Sequence, residues 1–204
     1  MSNQPNAGRP FPGTFTPSAP QQPQPARRSP IATFFMTIVL FLLFLAAGIA
    51  VVGVFFLEGK YDVAREVTIH ASPEAVHKQV GDLAQWPNWL PFTKHDDTIK
   101  TTIVKPTGVG ANQHWTGKSG AGKLTFTVCD EQKGIEFDML FDEKYASKGS
   151  MTYAKAGNDT KVTWRMTGQN DDFLGKWMAV AMPYMMPSMF DEGLADLKKK
   201  VEGK

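Results

Sequence analysis

Hydrophobic residues follow three different patterns along this chain. Residues 31–57 form an apolar run without a single charge, bracketed by Arg28 and Glu58. From Tyr61 onward, apolar residues alternate with polar ones in short stretches, which is the two-residue period of half-buried strands. The carboxy-terminal residues change to a helical period, with an apolar stripe made of Met186, Phe190, Leu194, Leu197 and Val201.

The apolar run is long enough to cross a membrane. It has 27 residues, whereas a helix needs about 20 to span a bilayer core. The apolar region of a signal peptide is shorter, about 7–15 residues, and no small-x-small cleavage site follows here. We therefore predict one uncleaved transmembrane helix over residues 31–57.

The flanking charges bear on which side of the membrane the main domain occupies. Arg27 and Arg28 precede the run, and Lys60 and Arg65 follow it, so the positive-inside rule is nearly balanced. The tighter arginine pair favours a tail inside the cell and a main domain outside it. The expected localisation is a bacterial plasma membrane, with one membrane pass and the domain on the extracytoplasmic side.

Composition separates the remaining sequence into a tail and a domain. Residues 1–30 contain eight of the fourteen prolines, with Gln, Ser and Gly between them. Such a segment buries too little apolar surface to offset its chain entropy, so we predict a disordered tail. Residues 58–204 have the size of a common single domain.

The domain has a distinctive order of predicted elements. A strand over 61–70 is followed by a helix that Ser72 caps, with Pro73 in its first turn. Six further strands are predicted over 98–104, 112–116, 124–130, 135–141, 150–155 and 161–167. Short Gly- and Asn-containing connections favour an antiparallel meander, and the striped helix closes the chain.

This order resembles the helix-grip fold of the START-like superfamily, and specifically its polyketide cyclase/dehydrase (SRPBCC) group. The likeness covers residues 61–203 and is carried by VTIHASPEAV at 67–76, DLAQWPNWLP at 82–91, GVGA at 108–111, VTWRM at 162–166 and GLADLK at 193–198. The resemblance implies an α+β fold, in which a curved antiparallel sheet of about seven strands wraps around the long carboxy-terminal helix. Family members hold lipids, sterols, polyketides or other apolar molecules between sheet and helix, and some of them are enzymes.

The stretch GKSGAGKL at 117–124 comes within one residue of a phosphate-binding loop, but Leu124 stands where that loop needs a hydroxyl. Such a loop must also open a helix, whereas the sequence that follows alternates as a strand. Leu124, Phe126 and Val128 are predicted to share one face of that strand. We interpret residues 117–122 as a hairpin connection and predict no nucleotide.

Charge and cysteine content exclude other classes of function. The domain carries 19 Lys and Arg against 20 Asp and Glu, a net charge of −1, so it offers no basic face for nucleic acid. Its single cysteine, Cys129, excludes an intrachain disulfide and a cysteine-cluster metal site. His70, His77 and His95 lack metal-ligand spacing. No metal and no cofactor are predicted.

Acid–base candidates are few. Glu136 and Asp138 alternate with an apolar face, and Arg165 lies between Trp164 and Met166, so these three charges should point away from the cavity. His114 and Tyr153 remain as candidates. The alternative is that His114 lies on the strand surface and that Tyr153 is a core aromatic. No catalytic constellation is recognisable, and whether the protein is an enzyme stays open.

A methionine-rich segment begins the last helix. Residues 177–190 contain five methionines and are interrupted by Pro183 and Pro187, which makes a flexible, polarizable surface. We predict a domain that binds an apolar or amphiphilic molecule, such as a lipid, sterol or polyketide-like compound, close to the lipid bilayer. The alternative is a cyclase or dehydrase acting in the same cavity. The residues predicted to line the cavity are Trp89, His114, Phe126, Phe137, Met139, Tyr153, Trp164, Met182 and Met186.

Overall fold

The computed structural model describes residues 30–203, so almost all of the predicted tail, residues 1–30, lies outside the described residues. The helices are α1 (Pro30–Phe55), α2 (Pro73–Val80), α3 (Phe92–His95) and α4 (Phe173–Glu202), with a 3₁₀ helix (Leu83–Asn88) between α2 and α3. The strands are β1 (Lys60–Ile69), β2 (Lys100–Lys105), β3 (Asn112–Gly117), β4 (Gly120–Asp130), β5 (Gly134–Phe141), β6 (Tyr145–Ala156) and β7 (Asp159–Gln169).

Helix α1 contains residues 31–55 of the apolar run, and the last two residues of the run follow it. Its 26 residues are long and apolar enough to cross a membrane, since a helix rises about 1.5 Å per residue and the bilayer core is about 30 Å thick. The chain divides after Leu43 into two compact units. The end of α1, from Phe44, belongs to the second unit, which also contains every strand.

The seven strands form one antiparallel sheet in the order β1-β7-β6-β5-β4-β3-β2. The predicted α+β helix-grip fold is confirmed, with the long helix α4 packed on the inner face of the sheet. Between β3 and β4 the chain turns within two residues, Lys118 and Ser119, and Gly120 adopts a φ of +115°. A strand rather than a helix follows this turn, as the alternation predicted.

Local signals set the ends of the helices. Ser72 caps α2, with Pro73 as its first residue. At the start of α4 the carboxylate of Asp172 accepts a hydrogen bond from the Gly175 N–H at 3.1 Å, and Gly203 ends the helix with a φ of 71°. Both Pro183 and Pro187 lie inside α4, so two backbone N–H donors are missing from its first half.

The core lies between the inner face of the sheet, α2, the 3₁₀ helix and the second half of α4. Within that half, Phe190, Leu194 and Leu197 are buried and Val201 is partly buried, and Met186 of the first half is partly buried beside them. The helical stripe predicted from the sequence is therefore the face that α4 presents to the sheet.

One strand departs from the predicted alternation. The register of β4 against β5 shifts between Phe126 and Val128, which leaves Thr127 as an extra residue. After this bulge the faces exchange, so Val128 is 38% exposed and Cys129 is partly buried against the core. The prediction that Val128 shares the face of Leu124 and Phe126 is therefore wrong.

Candidate functional site

An aromatic cluster fills the space between the inner face of the sheet and α4. Four of the predicted cavity residues, Trp89, Phe126, Phe137 and Trp164, are at most 2% exposed. Two residues that were not predicted join them: Trp86 lies between Trp89 and Phe126, with ring centroids 5.6 Å and 5.8 Å away, and Phe190 stacks on Trp164. The structure thus brings these four predicted residues together as packed aromatic side chains.

The 3₁₀ helix positions two of these rings. Asp82 caps it by accepting a hydrogen bond from the Ala84 N–H at 2.9 Å. The indole N–H of Trp86 donates to the Val80 carbonyl at 2.9 Å, and that of Trp89 donates to the Gln79 carbonyl at 3.3 Å. Both indole N–H groups donate to carbonyls at the end of α2, so neither ring has a donor left for a ligand.

Trp164 differs from them. Its ring stacks on Phe190 with a centroid distance of 4.2 Å and an interplanar angle of 13°, and α4 comes so close that a Cβ on Gly193 would lie 2.9 Å from the ring. Its indole N–H is buried and has no hydrogen-bond acceptor within the described part of the chain. An unsatisfied buried donor costs about 1–3 kcal/mol, so this N–H is ready for an acceptor. Two other buried polar atoms of the described residues also lack a partner, the indole N–H of Trp177 and the side-chain oxygen of Gln79.

Partly buried methionines border the cluster. Met139 on β5 and Met182 and Met186 on α4 all pack against the core while remaining partly exposed. The two α4 methionines flank Pro183, and Pro187 follows, so the backbone of this segment has fewer hydrogen bonds than the rest of the helix. Flexible side chains and missing backbone hydrogen bonds make this border deformable.

Tyr153 belongs to a polar cluster that sequence reasoning did not anticipate. Its hydroxyl lies 3.4 Å from Nδ1 of His77, and Sγ of Cys129 lies 3.5 Å from Nε2 of the same ring. A neutral imidazole has one N–H, so one of these partners donates to the ring and the other accepts from it. The bulge at Thr127 turns Cys129 inward, and no residue-level signal marks that bulge.

Burial controls protonation in this cluster. It lowers the pKa of His77, which the nearby carboxylates of Glu131 and Asp130 only partly oppose. Burial also raises the pKa of the Tyr153 hydroxyl and that of the Cys129 thiol. At neutral pH the cluster therefore consists of a neutral imidazole, a phenol and a thiol.

The fold agrees with comparisons to known proteins. The family model described as "Polyketide cyclase / dehydrase and lipid transport" matches residues 60–202. The chain belongs to this family. The domain is accordingly of a ligand-binding or cyclase type. A search of curated proteins found no match.

Solved structures with the same fold are distant in sequence. A protein from Chromobacterium violaceum is 15% identical with a TM-score of 0.53, and the alignment covers 69% of this chain and 96% of that one. A protein from Arthrobacter aurescens is 19% identical with a TM-score of 0.51, covering 68% and 86%. Norcoclaurine synthase from Thalictrum flavum, in complex with dopamine and hydroxybenzaldehyde, is 14% identical with a TM-score of 0.54, covering 70% and 86%. At these identities the similarity demonstrates the fold alone.

His114 occupies a different place in the polyketide cyclase/dehydrase domain from the one predicted. Its neighbours on β3, Gln113 and Trp115, are buried and partly buried, whereas His114 itself is exposed on the opposite face. The strand alternation therefore directs His114 away from the aromatic cluster. His114 is therefore not one of the residues proposed to bind the ligand. The alternative, that His114 lies on the strand surface, describes its position.

The charged strand residues lie outside the interior, as the alternation predicted. Glu136 and Asp138 are exposed, and Arg165 pairs with Asp62 through a hydrogen bond of 2.8 Å. A groove of about 920 Å³ crosses this outer face, and its lining includes Lys123, Asp138 and Lys148. Lys148 and Asp138 form an ion pair at 3.6 Å, so opposite charges within this groove partly neutralise each other.

Metal ligation has no support within residues 30–203, where no three His, Cys, Asp or Glu side chains form a group that could hold an ion. His70 instead contacts Asp159 at 2.8 Å, and His95 contacts Glu192 at 2.8 Å. Both pairs lie on the surface of the polyketide cyclase/dehydrase domain.

Proposed function

We propose that this protein is a membrane-anchored domain that binds an apolar or amphiphilic small molecule between the inner face of the sheet and α4. The observation that carries the proposal is the buried indole N–H of Trp164, which lies among packed aromatic side chains and lacks an acceptor within the described residues. A ligand with an apolar body and one carbonyl or hydroxyl oxygen would satisfy this donor. Lipids, sterols and polyketide-like aromatics share that chemistry.

The methionine border is the proposed entrance. The aromatic cluster fills the interior when no ligand is bound, so a ligand must displace side chains to enter. Met182 and Met186 have flexible, unbranched side chains, and Pro183 weakens the backbone between them. An outward movement of this part of α4 would admit a ligand while Phe190 and Leu194 keep the second half of the helix in place.

The expected affinity is micromolar. Burial of apolar surface contributes about 25 cal/mol per Å², so a ligand that hides a few hundred Å² gains several kcal/mol before ordering costs. A micromolar dissociation constant corresponds to about −8 kcal/mol. The norcoclaurine synthase relative, in complex with dopamine and hydroxybenzaldehyde, supports aromatic molecules as one class to test.

Helix α1 supports the anchoring part of the proposal by its length and apolar composition. It would keep the binding domain beside a reservoir of amphiphilic molecules. The flanking arginines favour an extracytoplasmic domain, and a reporter enzyme that works only outside the cytoplasm, fused after residue 204, should therefore be active. An inactive but stable fusion would place the domain in the cytoplasm.

Photocrosslinking tests the binding site directly. The full-length chain is placed in phosphatidylcholine nanodiscs with a fatty acid that carries a diazirine on its alkyl chain, and the modified peptides are mapped by mass spectrometry. We expect labels on Met139, Met182 and Met186, and excess unlabelled fatty acid should suppress them. Labels confined to residues 31–57 would refute binding in the interior.

A matched variant tests the role of the Trp164 N–H. Trp164→Phe removes the donor and keeps an aromatic ring, and one hydrogen bond contributes about 0.5–1.5 kcal/mol. Competition by a fatty alcohol should weaken by about two- to tenfold in this variant. Competition by an alkane of equal length, which has no oxygen, should not weaken in parallel. Equal losses for both ligands would show that the variant only perturbs packing.

The His77–Tyr153 contact supports a second candidate, a cyclase-type enzyme. A neutral imidazole beside a protonated phenol can accept and donate protons in the condensation of an aromatic amine with an aromatic aldehyde. The test is product formation from dopamine and hydroxybenzaldehyde by the full-length chain, compared with His77→Gln. Product at equal rates from both proteins, or no product from either, would refute the enzyme candidate and leave ligand binding as the proposed function.

A further inference from the structure

The first half of α4 is apolar on its outer face as well as on its inner face. From Phe173 to Phe190 the helix contains a single charged residue, Lys176. Phe173 packs against Gly53 of α1. The other exposed apolar residues, called here the outer α4 face, are Leu174, Val180, Tyr184 and Met185, with exposures of 57%, 43%, 82% and 63%. A helix that is apolar all round ordinarily has both faces covered, so this face lacks a partner within the described chain.

The outer α4 face begins where the apolar run of α1 ends. Gly53, in the last turn of α1, is buried so closely against α4 that a Cβ there would lie 2.4 Å from Nε1 of Trp177. The amine of Lys176 donates to the Val54 carbonyl at 2.8 Å. The Asn170 N–H, just before α4, donates to the Gly59 carbonyl at 2.9 Å. Three contacts thus tie the start of α4 to the chain at the exit of the apolar run.

The connection leaves little freedom between these parts. Only four residues, 56–59, separate the end of α1 from the start of β1, and Gly59 adopts a φ of +70° in a position where a Cβ would lie 2.0 Å from the Asn170 carbonyl oxygen. The charge of Lys176 is directed to a helix end, where unpaired carbonyls favour a cation. The first turns of α4 therefore remain close to the level at which α1 ends.

We propose that the outer α4 face lies in the interfacial region of the lipid bilayer, beside the exit of α1. This proposal rests on the proposed function only in requiring that α1 crosses a membrane. The bilayer is the expected occupant because the contacts at Gly53, Val54 and Gly59 hold the start of this face at the level where α1 leaves the apolar run. Tyr184, the most exposed residue of the face, has the apolar ring and polar tip that favour this depth.

Bilayer contact would give the polyketide cyclase/dehydrase domain a direct supply of ligand. The outer α4 face and the proposed entrance belong to the same turns of one helix, with Tyr184 and Met185 on one side and Met182 and Met186 packed against the core on the other. An amphiphilic molecule would then pass from lipid into the domain without crossing bulk water.

Environment-sensitive labelling of the full-length chain tests the proposal. Cys129→Ser removes the native thiol, and a single cysteine is then introduced by Tyr184→Cys or, as the matched control, by Ala195→Cys on the exposed side of the second half of α4. Each protein is labelled with the fluorophore NBD and reconstituted into vesicles of phosphatidylcholine and phosphatidylglycerol. Near-ultraviolet circular dichroism checks that each variant is folded.

We expect the label at position 184 to emit at shorter wavelength than the label at 195 and to be quenched by lipids that carry a doxyl group. The label at 195 should respond to aqueous iodide instead. Iodide quenching of equal strength at both positions would overturn the proposal. The same measurement in nanodiscs with one chain each excludes a second copy as the occupant, since shielding at 184 that vanishes there would assign the face to a dimer.

Vesicle flotation separates this proposal from the anchoring on which it rests. If the labelled chain does not float with the vesicles, the anchoring and the bilayer contact both fail. If the chain floats and position 184 is open to iodide, α1 anchors the protein and only the contact of α4 is refuted. The photocrosslinking of interior residues tests ligand binding independently of both results.

Discussion

Removal of the Phe190 ring should be among the most damaging single changes in the domain. Phe190 is fully buried and stacks on Trp164 at 4.2 Å. A Phe→Ala change in a core costs about 3–5 kcal/mol, which includes the lost transfer energy and the cavity left behind. A stacked aromatic pair contributes a further 0.5–1.5 kcal/mol, roughly. We therefore expect Phe190→Ala to destabilise the domain by about 5 kcal/mol, a large part of a typical stability of about 5–15 kcal/mol.

The assay is urea unfolding of the full-length chain in mild detergent micelles, followed by near-ultraviolet circular dichroism of the tryptophans. Phe190→Leu keeps most of the apolar volume and should cost less than about 1.5 kcal/mol. Tyr184→Ala is the surface control, because Tyr184 is 82% exposed. If Phe190→Ala lowers the free energy of unfolding no more than Tyr184→Ala does, the ring does not stack in a packed interior and the reasoning is refuted.

Three further predictions concern a close approach, a histidine and a turn. Gly149→Ala would put a Cβ 2.1 Å from the buried Phe137 ring, so it should destabilise the domain by about 1–3 kcal/mol in the same assay, and an unchanged midpoint would contradict this contact. Burial lowers the pKa of His77 below its ordinary value, so the unfolded chain takes up the proton first and stability should fall as pH decreases below about 6.5. His77→Gln should reduce that loss of stability between pH 7.5 and 5, as measured by urea midpoints, whereas the exposed-site control His114→Gln should keep it. If the urea midpoint of His77→Gln falls with pH as steeply as that of the unchanged chain, His77 is not the group responsible. Asp96 accepts hydrogen bonds from the N–H of Thr98 at 2.9 Å and from the N–H and hydroxyl of Ser119 at 3.1 Å and 2.7 Å. Asp96→Ala should therefore speed hydrogen exchange at the amides of Thr98 and Ser119. Exchange no faster than in the exposed-site control Asp97→Ala would show that these hydrogen bonds do not protect the turn.

Periodicity predicted the elements well because it reports which residues face the core. The alternation in β1, β5 and β7 and the stripe on α4 place the apolar residues inward, and the structure confirms all four elements. Boundaries were less accurate. Strand β4 begins at Gly120 rather than at 124, and β6 begins at Tyr145 rather than at 150. Backbone pairing extends over glycine, serine and lysine residues there, whose side chains carry no alternating signal.

Pairing between strands decided two positions that periodicity misjudged. The bulge at Thr127 exists because β5 offers one residue fewer at that point, so the inward orientation of Cys129 depends on a partner strand rather than on local sequence. His114 was compatible with either face of β3 until Gln113 and Trp115 were placed against the core. Neither orientation can be read from one strand alone.

Sequence by itself determined the apolar run of residues 31–57, the strand and helix order, and the aromatic and methionine character of the interior, since each depends only on residue type and spacing. Tertiary structure alone decided the stack of Phe190 on Trp164, the indole N–H left without an acceptor, the contact of His77 with Tyr153 and Cys129, and the bond from Lys176 to the end of α1. The physical reason is distance. A period states which side chains face inward, whereas a hydrogen bond or a stacked ring requires two groups from remote parts of the chain to meet within a few ångströms.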